Sequence, residues 1–178
     1  SPKNRAYFEE CTFMGWNSFG VDATFNNCVF DSEEGGIYNV ARVYGNTEFN
    51  DCQFVYGKLE NKDNECIDLM NGSVASISNC TATNNGVVAN IFDYIYVEDG
   101  AKLVVHINSN EEQELLNAAA NVEGATVKVK FGYYTFPTNI AEGVTIEAYT
   151  WDDGYVDYVE FQGKSNFDIH GNTVRRVN

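Results

Sequence analysis

The segment Phe25-Asn-Asn-Cys28-Val-Phe30 decides the fold, because it recurs along the chain. Three further segments align with it on their cysteines: Phe8-Glu-Glu-Cys11-Thr-Phe13, Phe49-Asn-Asp-Cys52-Gln-Phe54 and Ile77-Ser-Asn-Cys80-Thr-Ala82. The cysteines are separated by 17, 24 and 28 residues. Internal similarity at a period of about 20 to 30 residues is typical of repeat proteins, in which each repeat buries one face against its neighbours. We interpret each copy as one β-strand of a repeat.

A second apolar strand follows in three of the repeats. It reads Ile37-Tyr-Asn-Val-Ala-Arg-Val-Tyr44, Cys66-Ile-Asp-Leu-Met70 and Ile91-Phe-Asp-Tyr-Ile-Tyr-Val97. Each repeat is therefore predicted to carry at least two strands. The connecting segments contain Gly and Asn, which adopt the positive φ that tight corners require. These segments are Glu34-Gly-Gly36, Tyr44-Gly-Asn46, Asn71-Gly72 and Asn84-Asn-Gly86.

The amino-acid composition favours the same β class. The 178 residues include 12 Phe, 11 Tyr and 15 Gly with 2 Pro, and 44% of them are hydrophobic, which is enough for a buried core. A leucine-rich repeat would need the pattern Leu-x-x-Leu-x-Leu, which the chain lacks. The sequence therefore predicts an all-β fold, a parallel β-helix (solenoid) whose coils stack about 4.8 Å apart.

Stacked coils would bring the repeat cysteines into one row. Cys11, Cys28, Cys52 and Cys80 are expected to form an internal ladder beside stacked aromatic rings. Five cysteines cannot all pair, and their similar contexts do not indicate a disulfide framework. We expect free thiols that pack as small hydrophobic groups. Cys66 lies outside the ladder and is the thiol to test for reactivity.

The sequence after residue 107 has a different pattern. Ser109-Asn-Glu-Glu112 matches a capping box, and residues 111–121 place Leu115, Leu116 and Ala119 on one helical face. The sequence predicts one short amphipathic helix near residues 110–121. Five short strands are predicted after it, over residues 126–131, 143–147, 156–161, 167–169 and 173–177.

This second half resembles a known pattern. A short helix followed by Ala125-Thr-Val-Lys-Val-Lys-Phe-Gly-Tyr-Tyr-Thr-Phe-Pro137 and Ile140-Ala-Glu-Gly-Val-Thr-Ile146 resembles the N-terminal cap and first coil of pectate-lyase-like right-handed parallel β-helix proteins. The Phe-x-Asn-Cys-x-Phe segments resemble later coils of that superfamily, in particular of its bacterial surface and phage-associated members. The resemblance covers most of the chain and implies a fold, not an activity.

The order of the pieces suggests a permutation. In the superfamily the capping helix comes first, whereas here it follows the coils. We therefore expect coils with the Cys ladder over residues 1–107, and the capping helix with further coils over residues 108–178. Together these segments read as one permuted β-helix domain.

The ends of a β-helix carry unpaired backbone edges that must be covered. Neither terminus of this chain has an evident cap. One hypothesis is that the C-terminal coil, with Val174 and Val177, stacks on Tyr7 and Phe8 of the next subunit and builds a filament. The alternatives are a fragment cut out of phase from a tandem-repeat protein, and a monomer whose helix packs on the side of the stack.

The net charge of −15, from 26 acidic and 11 basic residues, bears on partners and location. Such a surface repels phosphate backbones, so we expect no nucleic-acid partner. No stretch has the roughly 20 apolar residues of a membrane span, and the N-terminus lacks the apolar core of a signal sequence. We expect a protein of the extracellular space, a cell surface or a virion, whose signal sequence is absent from this chain.

Candidate residues for chemistry are few. Trp151, Asp152, Asp153, Tyr155 and Asp157 form an acidic, aromatic group that is a candidate surface for a sugar or Ca²⁺, and a solvated loop is the alternative. His106 and His170 each stand alone, so we predict strand histidines rather than metal ligands. No catalytic residue, metal site or cofactor is predicted, apart from this Ca²⁺ candidate. Other aromatic side chains are candidates for contact surfaces, with core packing as the alternative: Trp16, Phe19, Tyr38, Tyr44, Tyr56 and Tyr158.

These observations favour a non-catalytic structural or adhesive β-helix protein that assembles end to end or mediates surface contact. The alternative is a carbohydrate-binding or polysaccharide-degrading module, a lyase or hydrolase. An enzyme should show carboxylates and a basic residue converging on one strand face, whereas an assembly protein should show apolar ends. The expected partners are therefore further copies of the chain, with glycans as the second class.

Overall fold

A computed structural model describes residues 4–32, 41–56, 67–108, 112–129, 137 and 140–147, and the backbone alone of 130, 148–149, 158–162, 167–169 and 173–177. The chain is mostly β-strand, with parallel sheets and one α-helix. It divides into two compact units, Ser1–Leu103 and Val104–Asn178.

Three parallel sheets make up the first unit. Sheet 1 contains β1 (Ala6–Glu9), β4 (Ala23–Asn26), β7 (Asn46–Asn50) and β10 (Val74–Ser78). Sheet 2 contains β2 (Thr12–Met14), β5 (Val29–Asp31), β8 (Gln53–Tyr56) and β11 (Thr81–Asn84). Sheet 3 contains β3 (Asn17–Phe19), β6 (Ala41–Val43), β9 (Ile67–Leu69) and β13 (Ile95–Val97). Three successive strands thus form one layer, with one strand in each sheet.

Each layer pairs with the next in register. Phe8, Phe25, Phe49 and Ile77 are consecutive partners in sheet 1. In sheet 2 the equivalent partners are Phe13, Phe30, Phe54 and Ala82. The prediction of at least two strands in each repeat is confirmed, and the number rises to three because the Cys segment forms two strands.

The recurring Cys segment is two strands rather than the single predicted strand. The residue before each cysteine has a positive φ, between 51° and 54° at Glu10, Asn27, Asp51 and Asn79. This left-handed conformation turns the chain, so the first aromatic residue lies in sheet 1 and the second in sheet 2. Asn and Asp tolerate that conformation better than most residues, which explains the polar residue at this position.

The core lies between the inner faces of the three sheets. Phe25 and Phe49 stack with ring centroids 5.3 Å apart, and Phe30 and Phe54 stack at 5.0 Å. Phe25 meets Phe30 edge to face at 5.2 Å, which joins sheet 1 to sheet 2. All four rings are fully buried. Offset and edge-to-face ring pairs of this kind each add about 0.5–1.5 kcal/mol beyond the burial of their area.

Glycine closes a second recurring corner, a turn that directly precedes a parallel strand. In four such turns the fourth residue donates its N–H to the first carbonyl, and the third residue is a glycine with φ between 70° and 80°. These turns cover residues 70–73 and 98–101 in the first unit, and 122–125 and 141–144 in the second. The positive φ that was predicted at Asn71-Gly72 and Asn84-Asn-Gly86 occurs at Gly72, Asn85 and Gly86.

Gly45 differs from the prediction, because its φ is not positive. A Cβ at this position would lie 2.7 Å from the backbone carbon and oxygen of Val21. Glycine is therefore required for the close approach of two backbones. The predicted corner at Glu34-Gly-Gly36 lies outside the described residues.

Sheet 2 acquires an antiparallel strand in the fourth layer. Strand β12 (Val87–Ala89) pairs with β11 across the two-residue turn Asn85-Gly86. A 3₁₀-helix at Ile91–Tyr94 then leads into β13. The Asn-Gly turn matches the twist of paired strands, because both residues accept a positive φ.

The second unit contains further parallel strands, a strand pair and the helix. The parallel strands have the order β14 (Lys102–Ile107), β15 (Thr126–Lys130), β16 (Thr145–Tyr149) and β18 (Phe167–Ile169), where β14 begins at the end of the first unit. Strands β17 (Tyr158–Gln162) and β19 (Thr173–Val177) pair in parallel. Strands β15 to β19 lie within two residues of the five positions predicted after the helix.

Helix α1 (Gln113–Ala119) is shorter than predicted. It lies between β14 and β15, which are paired neighbours, and its predicted role as a cap stays a prediction. Leu116 and Ala119 are buried, as the amphipathic pattern predicts. Glu112 lies at the N-cap position, and its carboxylate accepts the N–H of Asn108 at 2.7 Å. The capping role of Ser109 falls outside the described residues.

Candidate functional site

The first layer forms an open edge, which we define as strands β1, β2 and β3. These strands pair with β4, β5 and β6 respectively. On their other side the structure describes no strand. The open edge therefore presents three parallel strands with one hydrogen-bonding side unused.

Backbone groups of alternate residues point to that unused side. The N–H groups of Ala6, Glu10 and Gly15 donate to the second layer, at 2.9, 3.0 and 2.7 Å. Hydrogen-bonding direction alternates along a strand, so the residues between these face away. The residues whose backbone N–H and C=O face outward are Tyr7, Glu9, Thr12, Met14 and Ser18. A row of unpaired groups of this kind is a template for another strand.

The side chains of the open edge continue the aromatic stacks of the core. Phe8 stacks on Phe25 at 4.9 Å, and Phe13 stacks on Phe30 at 5.0 Å. Both outer rings are half-buried, whereas their partners are fully buried. Beside them, Tyr7 is 74% exposed and Met14 is 60% exposed. A further layer placed here would cover apolar surface that is worth about 25 cal/mol for each Å² removed from water.

The second unit also has strand edges with a single neighbour. Strand β18 pairs with β16, and β19 pairs with β17. Among the strands that the structure describes, neither has a partner on its other side. Val174 and Val177, the predicted assembly residues, lie in β19. These edges, like the open edge, belong to parallel strands.

The four ladder cysteines occupy equivalent corners of successive layers, and all four are free thiols. Cys28 donates to the carbonyls of Phe8 and Asn26, and Cys52 donates to those of Phe25 and Asn50. Each thiol thus reaches one carbonyl of its own layer and one of the layer before. Cys28 and Cys52 are buried, whereas Cys11 and Cys80 are half-buried.

Cys80 follows the same pattern and donates to the carbonyls of Phe49 and Ser78. The neighbouring Cys80 thiol, together with burial, raises the pKa of Cys52, whereas the neighbouring Cys52 thiol lowers the pKa of Cys80. For Cys28, burial is the main cause of a raised pKa. Of these two thiols, that of Cys80 therefore ionises more readily.

Sheet 3 carries a polar cluster on its outer face. The Nε of Arg42 donates to the Oδ2 of Asp68 at 3.1 Å, across the pair β6–β9. The Arg42 guanidinium lies 5.8 Å from the ring centre of Trp16, within range of a cation–π contact. Trp16, Tyr44 and Tyr96 are exposed, so aromatic surface borders the ion pair.

A row of titratable residues crosses the sheet of the second unit. His106, Lys128, Glu147 and Asp168 are consecutive register partners in β14, β15, β16 and β18. The Nζ of Lys128 lies 3.8 Å from the Oε2 of Glu147. Neighbouring parallel strands are about 4.8 Å apart, so the side chains of His106, Lys128 and Glu147 share one strip of the sheet. One carboxylate and two basic groups thus lie side by side on one strand face.

The structure does not describe several of the predicted site residues. Trp151, Asp152, Asp153, Tyr155 and Asp157 lie outside the described residues, as do Cys66, Tyr38 and His170. The Ca²⁺ site that the first five suggested therefore stays a prediction. Of the other aromatic candidates whose side chains are described, Trp16 and Tyr44 are exposed, Phe19 is half-buried and Tyr56 is buried.

Sequence reasoning missed the polar cluster and the titratable row, although signals for both were present. Ala41-Arg-Val and Ile67-Asp-Leu belong to the second recurring strand, and aligning them places Arg42 opposite Asp68. Lys128 lies four residues after the Gly of Glu123-Gly124, and Glu147 lies four residues after the Gly of Glu142-Gly143. Aligning the sequence on these Glu-Gly pairs, instead of on the cysteines, places Lys128 opposite Glu147.

Within the described residues, no helix has the length and apolar character to cross a membrane. The same residues contain no group of three or more His, Cys, Asp or Glu side chains that could hold a metal ion. The chain matches no protein-family model, no curated protein and no solved structure in the three comparisons.

Proposed function

We propose that this protein is a right-handed parallel β-helix of the pectate-lyase-like kind, with a structural or adhesive and non-catalytic role. Support comes from the layers, in which consecutive strands visit three parallel sheets in turn. Right-handed connections between parallel strands are strongly favoured, because a twisted strand packs back onto its sheet in that hand. The acidic surface suits a location outside the cell or on a virion.

The open edge is the observation that carries the proposal of end-to-end assembly. It combines unpaired backbone groups with half-buried Phe8 and Phe13, whose stacks are complete one layer further in. The best occupant is a second copy of the chain, since β18 and β19 offer parallel edges with one neighbour each. Such contacts are heterologous, so they build rows of subunits instead of closed dimers.

A substitution at Met14 tests the assembly. The N–H of Met14 faces outward, and proline lacks an N–H while remaining tolerated on an edge strand. The variant Met14→Pro should therefore block pairing with a further strand and leave the described hydrogen bonds in place. Met14→Thr keeps the N–H and serves as the matched control. The readouts are the molar mass by light scattering across concentration, and negative-stain images of the same samples.

Wild type and Met14→Thr should form concentration-dependent oligomers or filaments, whereas Met14→Pro should stay at 19.9 kDa. A wild-type protein that stays monomeric at every concentration would disprove end-to-end assembly. Oligomers of equal size in Met14→Pro would show that the contact does not involve the open edge.

A carbohydrate-binding or polysaccharide-degrading module is the second candidate, and the row His106, Lys128, Glu147 favours it. Glycosidic chemistry uses a pair of groups that donate and accept protons, and the row supplies carboxylate and basic side chains side by side. Screening the purified protein against acidic and neutral polysaccharides, for binding and for new reducing ends, tests this candidate. The control variant is Lys102→Ala, which removes an exposed lysine away from the row, in comparison with Lys128→Ala.

A further inference from the structure

Strands β18 and β19 repeat a spacing that is characteristic of the first unit. There, the register row of Phe8 in sheet 1 and the row of Phe13 in sheet 2 hold residues that are five positions apart in every layer. These residues are Phe8 and Phe13, Phe25 and Phe30, Phe49 and Phe54, and Ile77 and Ala82. Ile169 in β18 and Val174 in β19 have the same separation. Among the described strands of the second unit, no other consecutive two place apolar residues five positions apart.

A spacing that two layers share allows both of their strands to pair at the same time. We infer that β18 and β19 of one copy dock on β1 and β2 of the next copy in a single register, with Ile169 opposite Phe8 and Val174 opposite Phe13. This contact rests on the proposed function, end-to-end assembly, and fixes which strands meet and where. It joins strands that each have one described neighbour and belong to parallel pairs.

The backbone of β18 presents its free hydrogen-bonding groups at alternate residues. The N–H of Thr145 donates towards β15 at 3.0 Å, and direction alternates along a strand, so Ile146 bonds towards β18. In a parallel pair each residue bonds to the two residues that flank its register partner, and the partner of Ile146 is Phe167. Asp168 therefore bonds back to β16. The backbone groups of Phe167 and Ile169 are left on the outer side.

These outer groups match the outward groups of the open edge in the inferred register. With Ile169 opposite Phe8, Asp168 lies opposite Tyr7. The outward N–H of Tyr7 then donates to the carbonyl of Phe167, and the carbonyl of Tyr7 accepts the N–H of Ile169. A shift by one residue would aim a group of Tyr7 at Asp168, whose own groups are bonded to β16. Such a shift therefore loses hydrogen bonds.

The aromatic stacks favour the same register over its neighbours. Phe8 and Phe13 are the half-buried outer rings of the two stacks. Covering both rings with apolar residues removes their exposed surface from water, which favours docking. In the inferred register Val174 lies opposite Phe13. Sliding both strands by two residues, in one direction or the other, would place Asn172 or Arg176 there instead.

Cysteine cross-linking between two variants tests the register. Tyr7 and Asp168 of the next copy would be direct neighbours about 4.8 Å apart, within the Cα range of about 4.4–6.8 Å in which disulfides form. Glu9 and Asp168 would be diagonal neighbours about 7–8 Å apart, outside that range. Tyr7→Cys mixed with Asp168→Cys and oxidised with copper phenanthroline should therefore give severalfold more covalent dimer than Glu9→Cys mixed with Asp168→Cys. All three variants also carry Cys11→Ser, which removes the native thiol of the open edge.

A second mixture, Met14→Cys with Arg175→Cys, tests whether β19 docks at the same time, because Arg175 lies opposite Met14 in this register. It should also give a covalent dimer. Peptide mapping identifies the linked residues, and light scattering of the unoxidised mixtures measures assembly. Assembly with a predominant link through Glu9, or without a link at both strands, would overturn the register and leave end-to-end assembly in place. Mixtures and wild-type protein that stay monomeric at every concentration would overturn both.

Discussion

At the scale of single residues, the corner between sheets 1 and 2 depends on backbone conformation more than on side-chain contacts. The residue before each ladder cysteine is left-handed, and the set contains two Asn, one Asp and one Glu. The sequence shows these residues as the variable part of the Cys repeat. Their conformation was not predicted, because polar residues are equally common on exposed strand positions.

We expect Asn27→Val to lower the free energy of unfolding by about 1–2 kcal/mol, since a β-branched residue is strained at positive φ. Asn27→Gly should change it by much less, because glycine accepts this conformation. Urea unfolding of dilute protein measures both. Gln53→Val places the same side chain at an exposed strand position and should be nearly neutral. Equal losses for valine at positions 27 and 53 would show that the corner carries no conformational requirement.

The second prediction at this scale concerns Gly45. An alanine Cβ there would lie 2.7 Å from backbone atoms of Val21, which cannot move without shifting a strand. Gly45→Ala should therefore cost about 1–3 kcal/mol of stability, as overpacked sites do. Gly20→Ala is the matched control, because no atom lies within 4 Å of its added Cβ. Equal stabilities of the two variants in thermal or urea unfolding would contradict this prediction.

At the scale of elements, the aromatic stacks hold neighbouring layers together. Phe49 is covered by Phe25 on one side and pairs with Ile77 on the other, and it meets Phe54 edge to face at 5.4 Å. Interior layers are therefore closed on both sides, whereas Phe8 in the open edge has a ring partner on one side. An aromatic ring in an interior layer should therefore contribute more to the free energy of unfolding than a ring in the open edge.

We expect Phe49→Ala to cost about 3–5 kcal/mol, the usual range for a buried aromatic side chain. Phe8→Ala should cost clearly less, because its ring is half-buried before the mutation. Urea unfolding of dilute samples, in which assembly is minimal, gives both values. Similar losses at the two positions would indicate that the first layer is already covered on its outer side.

The same scale shows what the sequence could and could not predict. The period of the cysteines gave the stacking partners in sheets 1 and 2, since residues at equal offsets become register neighbours. The strands of sheet 3 were predicted in three of the four layers, and β3 was missed because Asn17-Ser-Phe19 is short and polar. Side-chain pairs between layers, such as Arg42 with Asp68, join residues that are far apart in sequence. Such pairs can be identified only when the strand register is known.

At the scale of the whole molecule, the glycine turn that directly precedes a parallel strand is the feature that both units share. It has a glycine at positive φ at Gly72 and Gly100 in the first unit, and at Gly124 and Gly143 in the second. The second half was predicted to hold a capping helix and further coils. The same turn recurs in both units, and the helix lies between two paired strands.

The central claim at this scale is that the open edge pairs with another copy of the chain. Hydrogen exchange over residues 4–19, read at single-residue resolution by mass spectrometry at low and high protein concentration, tests it most directly. The outward amides of Tyr7, Glu9, Thr12, Met14 and Ser18 should exchange quickly in dilute protein and slowly at high concentration, while those of Phe8, Phe13 and Phe19 stay protected throughout. Exchange of the outward amides that is equally fast at every concentration would contradict the account.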